Sequence, residues 1–451
     1  MQRLFFTFLL LAACGSDQVL EHDLEPIALR RAPIEAGGAA TGGLLAAVTT
    51  MAGVEPLLID SAFPMNSLSR VGCVSGSAPG WTYTGTMELR DPLDARSPLR
   101  ASFRSIGLFD ICPGPTGDAT IRPAGVMGGP LLANFVVGLV LPRDPETNAS
   151  MSLWPSFPGT DDRLEQGGGQ VVLHFDRRGG APAGQSGGEA SLTLPNSRIV
   201  LAACMAPRVF TISETQETCA RGEASLKASG QDVMLAVGTG EGPLVLSEWA
   251  WQRVAAQLGI APETGTPGEL YTPFAIAPTP ARYVDIPRLA ILQGTTDSNW
   301  LGACAELARA RRIEWVLANQ AGGVEGEVSP CFQPCDGDNG HSVLSRSYLE
   351  LGGSLRAAIV SDASEVIRSL NADVPPRPQV DGVIGAGTLA GTRIHLDYLN
   401  EPSARVIASC EAGSTRDTCW AAPSCPGFTD KGKKDYHCFG LTDLQAAPVC
   451  E

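Results

Sequence analysis

Pro56-Leu57-Leu58-Ile59-Asp60-Ser61-Ala62 carries three apolar residues straight into a carboxylate-bearing turn. That is the pattern of a buried strand that ends abruptly. About 180 residues later Met234-Leu235-Ala236-Val237-Gly238-Thr239-Gly240 repeats the apolar run and the small turn. Each copy then climbs back into apolar residues and closes on Leu-Ser, at Leu68-Ser69 and at Leu246-Ser247. A second pair follows the same order: Ala124-Gly125-Val126-Met127-Gly128-Gly129 and Asp381-Gly382-Val383-Ile384-Gly385-Ala386. A strand glycine at such a place marks two backbones too close for a side chain between them.

Two apolar-Asp-Ser/Thr-Gly-type turns, each followed by an apolar-apolar-Gly strand, resemble the bilobal pepsin-like aspartic protease family. The resemblance spans residues 40–405. It implies a mostly β, bilobal fold with a few short helices and a Cys-rich C-terminal tail. In that family each lobe sends one such turn to a central cleft, where two carboxylates share a proton around a water. One acts as base on the water, the other as acid toward the amide oxygen. This chain departs from the pattern twice. Ala62 stands where the family has glycine, and Gly238 stands where it has the second catalytic aspartate.

The resemblance makes Asp60 the catalytic candidate and places Ser61, Ala62, Tyr83, Gly238, Thr239 and Gly240 at the binding cleft. Tyr83 lies in Trp81–Met87, which reads as a strand entering a hairpin and is similar to the family's flap; the alternative is an aromatic packed on a β surface. With Gly238 in place of an acid, the leading expectation is a non-proteolytic, peptide-binding or scaffold protein. One alternative is an active acid endopeptidase using Asp60 with a substitute carboxylate, Asp232 and Glu241 being nearest in sequence, or with the Asp60 of a second copy. Neither substitute occupies the turn position itself. Another alternative is a generic β-rich envelope lipoprotein, and the plain structural reading of Asp60 is a turn carboxylate that accepts hydrogen bonds from the next amides.

Composition sets the bounds. The 451 residues suffice for two domains; 44% are hydrophobic and 18% charged, the balance of a globular protein with sizeable cores. The 51 Gly and 34 Pro imply many turns and short strands. A net charge of −15, with one short basic patch at Lys431–Lys434, argues against nucleic-acid binding.

The first residues read as a targeting segment. Arg3 precedes an apolar core at Leu4–Leu11, and Leu11-Ala12-Ala13-Cys14 resembles the bacterial lipobox, in which Cys14 is lipidated. Gly15 after the cysteine points by analogy to the outer membrane, with acyl chains at Cys14 as the anchor. Twelve further cysteines in an exported chain read as disulfides, with Cys73–Cys112 and Cys204–Cys219 as neighbouring pairs. No cofactor or metal is expected. Cys331–His341 reads as a disulfide-pinned polar loop rather than a calcium site, because Gly340 stands where a ligand belongs.

The expected organisation is a signal peptide (1–14), a tether (15–40), an N-terminal β lobe (41–178), a linker (179–189), a C-terminal β lobe (190–408) and a disulfide-rich tail (409–451). Val171–Asp176 is read as the counterpart of Arg393–Asp397, which gives the first lobe an insertion of about 35 residues; His174 and His395 are read as strand residues on matching faces. Helices are expected at Glu248–Leu258 behind an Ser247 cap, around Trp300–Arg312, and after Asp362-Ala363-Ser364-Glu365, which has capping-box spacing. Pro130–Val137 is apolar throughout and fits helix or strand.

Overall fold

The computed structural model describes residues 20–22, 26–32, 42–69, 81–91, 96–110, 112–114, 121–155, 171–174, 176–180, 194–206, 230–275, 277–292, 302–304, 307, 348–372, 379–399, 405–415 and 417–422. The segment read as a lipobox (Leu11–Cys14), Cys73, Cys219, residues 331–341 and Lys431–Lys434 lie outside them.

The first half of the chain forms β1 (Leu20–His22), β2 (Ile27–Arg31), β3 (Leu44–Thr50), β4 (Gly53–Asp60), β5 (Ser67–Leu68), β6 (Trp81–Arg90), β7 (Leu99–Asp110), β8 (Gly125–Gly128), helix α1 (Gly129–Leu132), β9 (Val136–Leu141) and β10 (Ala149–Trp154). The second half opens with β11 (Val171–His174), β12 (Asp176–Gly180), β13 (Leu194–Ala206), β14 (Gln231–Gly238), β15 (Leu244–Ser247) and helix α2 (Glu248–Leu258). It continues with β16 (Thr266–Leu270), β17 (Thr279–Leu292), β18 (Tyr348–Val360), helix α3 (Glu365–Leu370), β19 (Gly382–Gly385), β20 (Thr392–Asp397), β21 (Arg405–Cys410) and β22 (Cys419–Ala422). The protein is mostly β, in two sheets of 13 and 9 strands among the described residues.

The repeat seen in the sequence is a repeat of topology. Strand order β7-β5-β8-β4-β3 in the larger sheet matches β18-β15-β19-β14-β13 in the smaller, and β6 and β17 each pair with the two end strands of their set. Registers agree as well. Asp60 pairs with Gly128 and Gly238 with Gly385 in parallel ladders, while Leu68 and Leu246 face Gly125 and Gly382. A β-carbon on Gly128 would run into the carbonyls of Phe63 and Met65, the close backbone approach expected there.

Pairing corrects one correspondence. β20 matches β9, not β11: both begin within eight residues of their apolar-apolar-Gly strand and they pair antiparallel, Val137 with Leu396 and Leu139 with Ile394. The order β2-β10-β9-β20-β21-β11 is therefore symmetric about the β9–β20 seam, so β11 is the counterpart of β2. The expected 35-residue insertion disappears with this alignment. His395 is buried with its ring edge-on to Trp154, whereas His174 contributes a backbone partner to Arg405, so the two are not equivalent. β2 also lies inside the stretch read as a tether; Ile27 and Leu29 are fully buried there, because alternate residues face the core. Likewise β12 reaches Gly180 and β22, in the expected tail, pairs with β18.

Helix α2 forms as read. The Ser247 side chain accepts from the Ala250 amide at 3.1 Å, Gly259 caps the other end in the left-handed region, and Trp251 and Val254 are buried with Leu258 packed beside them. The capping box expected of Asp362 does not form. The N-cap of α3 is Ser364, which makes no side-chain cap bond, and Asp362 Oδ1 instead accepts from the Trp249 amide of α2 at 3.2 Å. Of the helix expected around Trp300–Arg312, Ala303, Cys304 and Leu307 are described and helical. Pro130–Val137 divides into the end of α1 and the start of β9. Within β17, Pro287 falls at a register shift between Ile286 and Arg288, where its missing amide leaves no ladder bond unmade.

Cys204 pairs with Cys304, which overturns the Cys204–Cys219 expectation, and Cys410 pairs with Cys419. β13 carries Cys204 to the β14 side, where Asp232 holds the 302–304 turn. Cys112 is also disulfide-bonded. Among the described residues no group of three acidic, His or Cys side chains could hold a metal, and no helix is long and apolar enough to cross a membrane.

Candidate active site

The turns that end β4 and β14 meet. Ser61 Oγ donates to the Val237 carbonyl at 2.7 Å, and the Ser61 amide donates to Thr239 Oγ1 at 3.2 Å. Thr239 Oγ1 in turn donates to the Ile59 carbonyl at 2.7 Å. A hydroxyl at each turn thus ties down a buried backbone group of the other, which is why short Ser and Thr stand at 61 and 239. The Leu44 amide adds a bond to the Thr239 carbonyl at 2.9 Å. Asp60, Ser61, Ala62, Gly238, Thr239 and Gly240 therefore form one cluster, as expected. Tyr83 is half-buried on β6 and donates its hydroxyl to the Leu68 carbonyl at 2.7 Å, joining the segment that follows Asp60.

Asp60 is fully buried; its Oδ1 accepts from the Ala62 amide at 2.9 Å, the turn role weighed for it above. A β-carbon on Gly240 would stand 2.6 Å from the Asp60 carboxyl carbon, so only glycine lets the second turn close on the acid.

Gly238 supplies no acid, yet the place of its side chain is taken. The Glu241 Oε2 lies 2.5 Å from where a β-carbon on Gly238 would be, with the Ala62 methyl 3.2 Å from the same point. Glu241 is fully buried and its Oε1 accepts from the Thr272 hydroxyl at 3.2 Å. Position 241 thus sends a longer carboxylate back into the space opened by Gly238. Of the two acids nearest in sequence, Glu241 does not occupy the turn position itself, yet its carboxylate reaches the site. Asp232 instead accepts from the Gly302 and Cys304 amides at 2.9 and 2.6 Å.

Burial pushes the Asp60 carboxyl up to about 6, against the amides of Ala62, Gly240 and Phe63 and the charge of Arg198. Burial also pushes Glu241 well above the usual carboxylate range, and the charge of Asp60 adds to it; the Thr272 hydroxyl and Arg198 oppose the rise. Both carboxyl groups therefore hold their protons to higher pH than isolated acids do. Asp60 Oδ2 and Glu241 Oε2 are buried with no hydrogen-bond partner among the described residues. Native proteins rarely leave two such oxygens in one place without a use for them.

Three residues of this site escaped the sequence reading in whole or part. Glu241 was considered only as a neighbour. Thr272, in the loop after β16, and Arg198, on β13, carry no local motif. That loop also packs Phe274 on Phe63, with ring centroids 5.3 Å apart, and its Pro273 carbonyl accepts from the Gly114 amide at 3.2 Å.

No family model matches the chain, and no curated protein matches it. Among solved structures, basic 7S globulin from soybean is similar at a TM-score of 0.39 and 10% identity, over 88% of this chain and 98% of that one.

Proposed function

We propose that the chain has a bilobal, pepsin-like fold and acts as an acid peptidase whose two carboxylates are Asp60 and Glu241. The observation that carries this reading is the Glu241 carboxylate lying in the side-chain place of Gly238, beside a buried Asp60. Two buried acids with separated proton affinities are what general acid and base roles need. Asp60, ionised first, takes a proton from water as its oxygen bonds to the scissile carbonyl carbon. Glu241 gives its proton to the carbonyl oxygen. Asp60 then gives the proton it took from water to the amide nitrogen as the carbon–nitrogen bond breaks, while Glu241 takes a proton back from a hydroxyl of the adduct, which becomes the product carboxyl; the pair ends as it began. An extended peptide is the substrate class.

The test is hydrolysis of a mixed peptide library by the full chain between pH 3 and 7. Cleavage is expected to rise as the pH passes up through about 6, where Asp60 ionises, and to be abolished in Asp60→Asn and in Glu241→Gln. No cleavage at any pH, or cleavage that survives Asp60→Asn, overturns the reading.

A second reading keeps the fold without the chemistry: a peptide-binding or scaffold protein. It is favoured by the complete burial of both carboxyl groups. Binding of a pepstatin-like peptide with no cleavage of any library member would decide for it. In either case Cys14 is the proposed lipid anchor to the bacterial outer membrane; incorporation of labelled fatty acid, lost in Cys14→Ser, tests that.

A further inference from the structure

The two oxygens of Glu241 have different surroundings. Oε1 accepts from the Thr272 hydroxyl at 3.2 Å. Oε2, in the side-chain place of Gly238, is buried with no hydrogen-bond partner among the described residues. Thr272 is itself 1% exposed. Its oxygen accepts from the Phe274 amide at 3.4 Å, which leaves the hydroxyl hydrogen for Oε1. A threonine that only shapes a turn needs no more than the bond from the amide two residues on. The donated hydrogen is an addition to that role, and Glu241 receives it.

The direction of this relay places the proton of the acid. A neutral carboxyl has one O–H and one acceptor oxygen. With Oε1 engaged as the acceptor, the O–H falls on Oε2. Once that proton leaves, the same hydroxyl bonds to an ionised group and the bond is stronger for it. Thr272 therefore suits both states that a general acid passes through, and favours the second more.

Residues of the first half of the chain set the place of this hydroxyl. Between β16 and β17 the 271–275 loop packs Phe274 on Phe63 and accepts from the Gly114 amide at the Pro273 carbonyl. A β-carbon on Gly114 would stand 1.9 Å from the Ala275 carbonyl oxygen and 2.4 Å from that of Thr272, so glycine at 114 lets the loop seat. Glu241 and its donor both come from the second half, but the donor is seated by the first.

We propose that Thr272 is a positioning residue: its hydroxyl keeps the Glu241 proton on Oε2 and stabilises the carboxylate left when that proton moves. The consequence for catalysis rests on the peptidase reading; the placement of the proton does not.

The experiment combines peptide hydrolysis with infrared spectroscopy of the full chain near pH 6, the carbonyl stretch of protonated Glu241 being identified by its loss in Glu241→Gln. In Thr272→Val the band is expected to move to higher frequency, as a carbonyl that has lost its donor does. The kcat is expected to fall about tenfold with KM within about twofold of wild type. Thr272→Ser, which keeps the hydroxyl, is expected to hold the wild-type band and about half or more of the wild-type kcat. A band that stays in place in folded Thr272→Val overturns the proposal whatever happens to kcat, and so does the absence of any band that Glu241→Gln removes. Should the valine variant not fold, the wild-type band decides: the frequency of a free carboxylic acid carbonyl overturns the proposal, and the lower frequency of a hydrogen-bonded one supports it. A shifted band in a chain that cleaves no peptide sinks the peptidase reading and leaves this one standing.

Discussion

Glu241 Oε2 stands 2.5 Å from the point that a β-carbon on Gly238 would occupy, so position 238 is bare because position 241 fills it. Positions 62 and 238 are coupled in the same space, since the Ala62 methyl lies 3.2 Å from that point. A side chain at 238 has to displace the acid, the methyl, or both.

Gly238→Ala is therefore expected to expel the Glu241 carboxylate and to cost about 1–3 kcal/mol, the range for overpacking a filled site. Gly238→Asp, which restores the usual acid, is expected to do the same rather than to gain activity. Urea midpoints and peptide hydrolysis on the two variants check this. A Gly238→Asp chain more active than the wild type would show that Glu241 is a bystander.

Stability should fall as pH rises from acid to neutral. Asp60 holds its proton to about pH 6 when folded, against an ordinary value of 3.8. Between those values the folded chain binds more protons than the unfolded one, so its stability is fully present below about pH 4 and is lost through pH 6. Glu241, also raised, extends the decline to higher pH. Urea midpoints taken from pH 3.5 to 7.5 are expected to drop steadily in the wild type. Asp60→Asn flattens the lower part of that decline and Glu241→Gln the upper part.

Thr272→Val removes the hydroxyl that donates to Glu241 Oε1. That bond favours the ionised carboxylate, so its loss pushes Glu241 further up and lowers stability at neutral pH by about 1–2 kcal/mol. At pH 4, where Glu241 is protonated, the variant should lie closer to wild type. An equal deficit at both pH values would mean that the hydroxyl serves the loop and not the acid.

The two helix caps make a contrast. Ser247 Oγ accepts from the Ala250 amide, whereas Ser364 makes no side-chain cap bond. Ser247→Ala is expected to cost about 1 kcal/mol and Ser364→Ala close to nothing. Thermal or urea midpoints of the two variants, measured side by side, are enough to check it.

Much of the architecture was written locally. A continuous apolar run that stops at a small polar turn marks a buried strand, and its recurrence at Pro56–Ala62 and Met234–Gly240 marked the duplication. Ser247 and the apolar spacing behind it marked α2 for the same reason, because capping and amphipathicity act within a few residues. The match of β9 with β20 was not visible. Strands of one repeat need not share residues, and only ladder pairing shows which is which.

By itself the sequence determined which two turns would face each other and that one of them lacks an acid. Whether the site lacks one was decided in three dimensions. A glutamate three residues along reaches back only because Gly238 leaves room and Thr272 offers a donor there. Arg198, 40 residues upstream of Gly238, arrives through strand pairing. Side-chain direction and long-range register carry no signature in residue spacing, and the charge balance of a buried site depends on both.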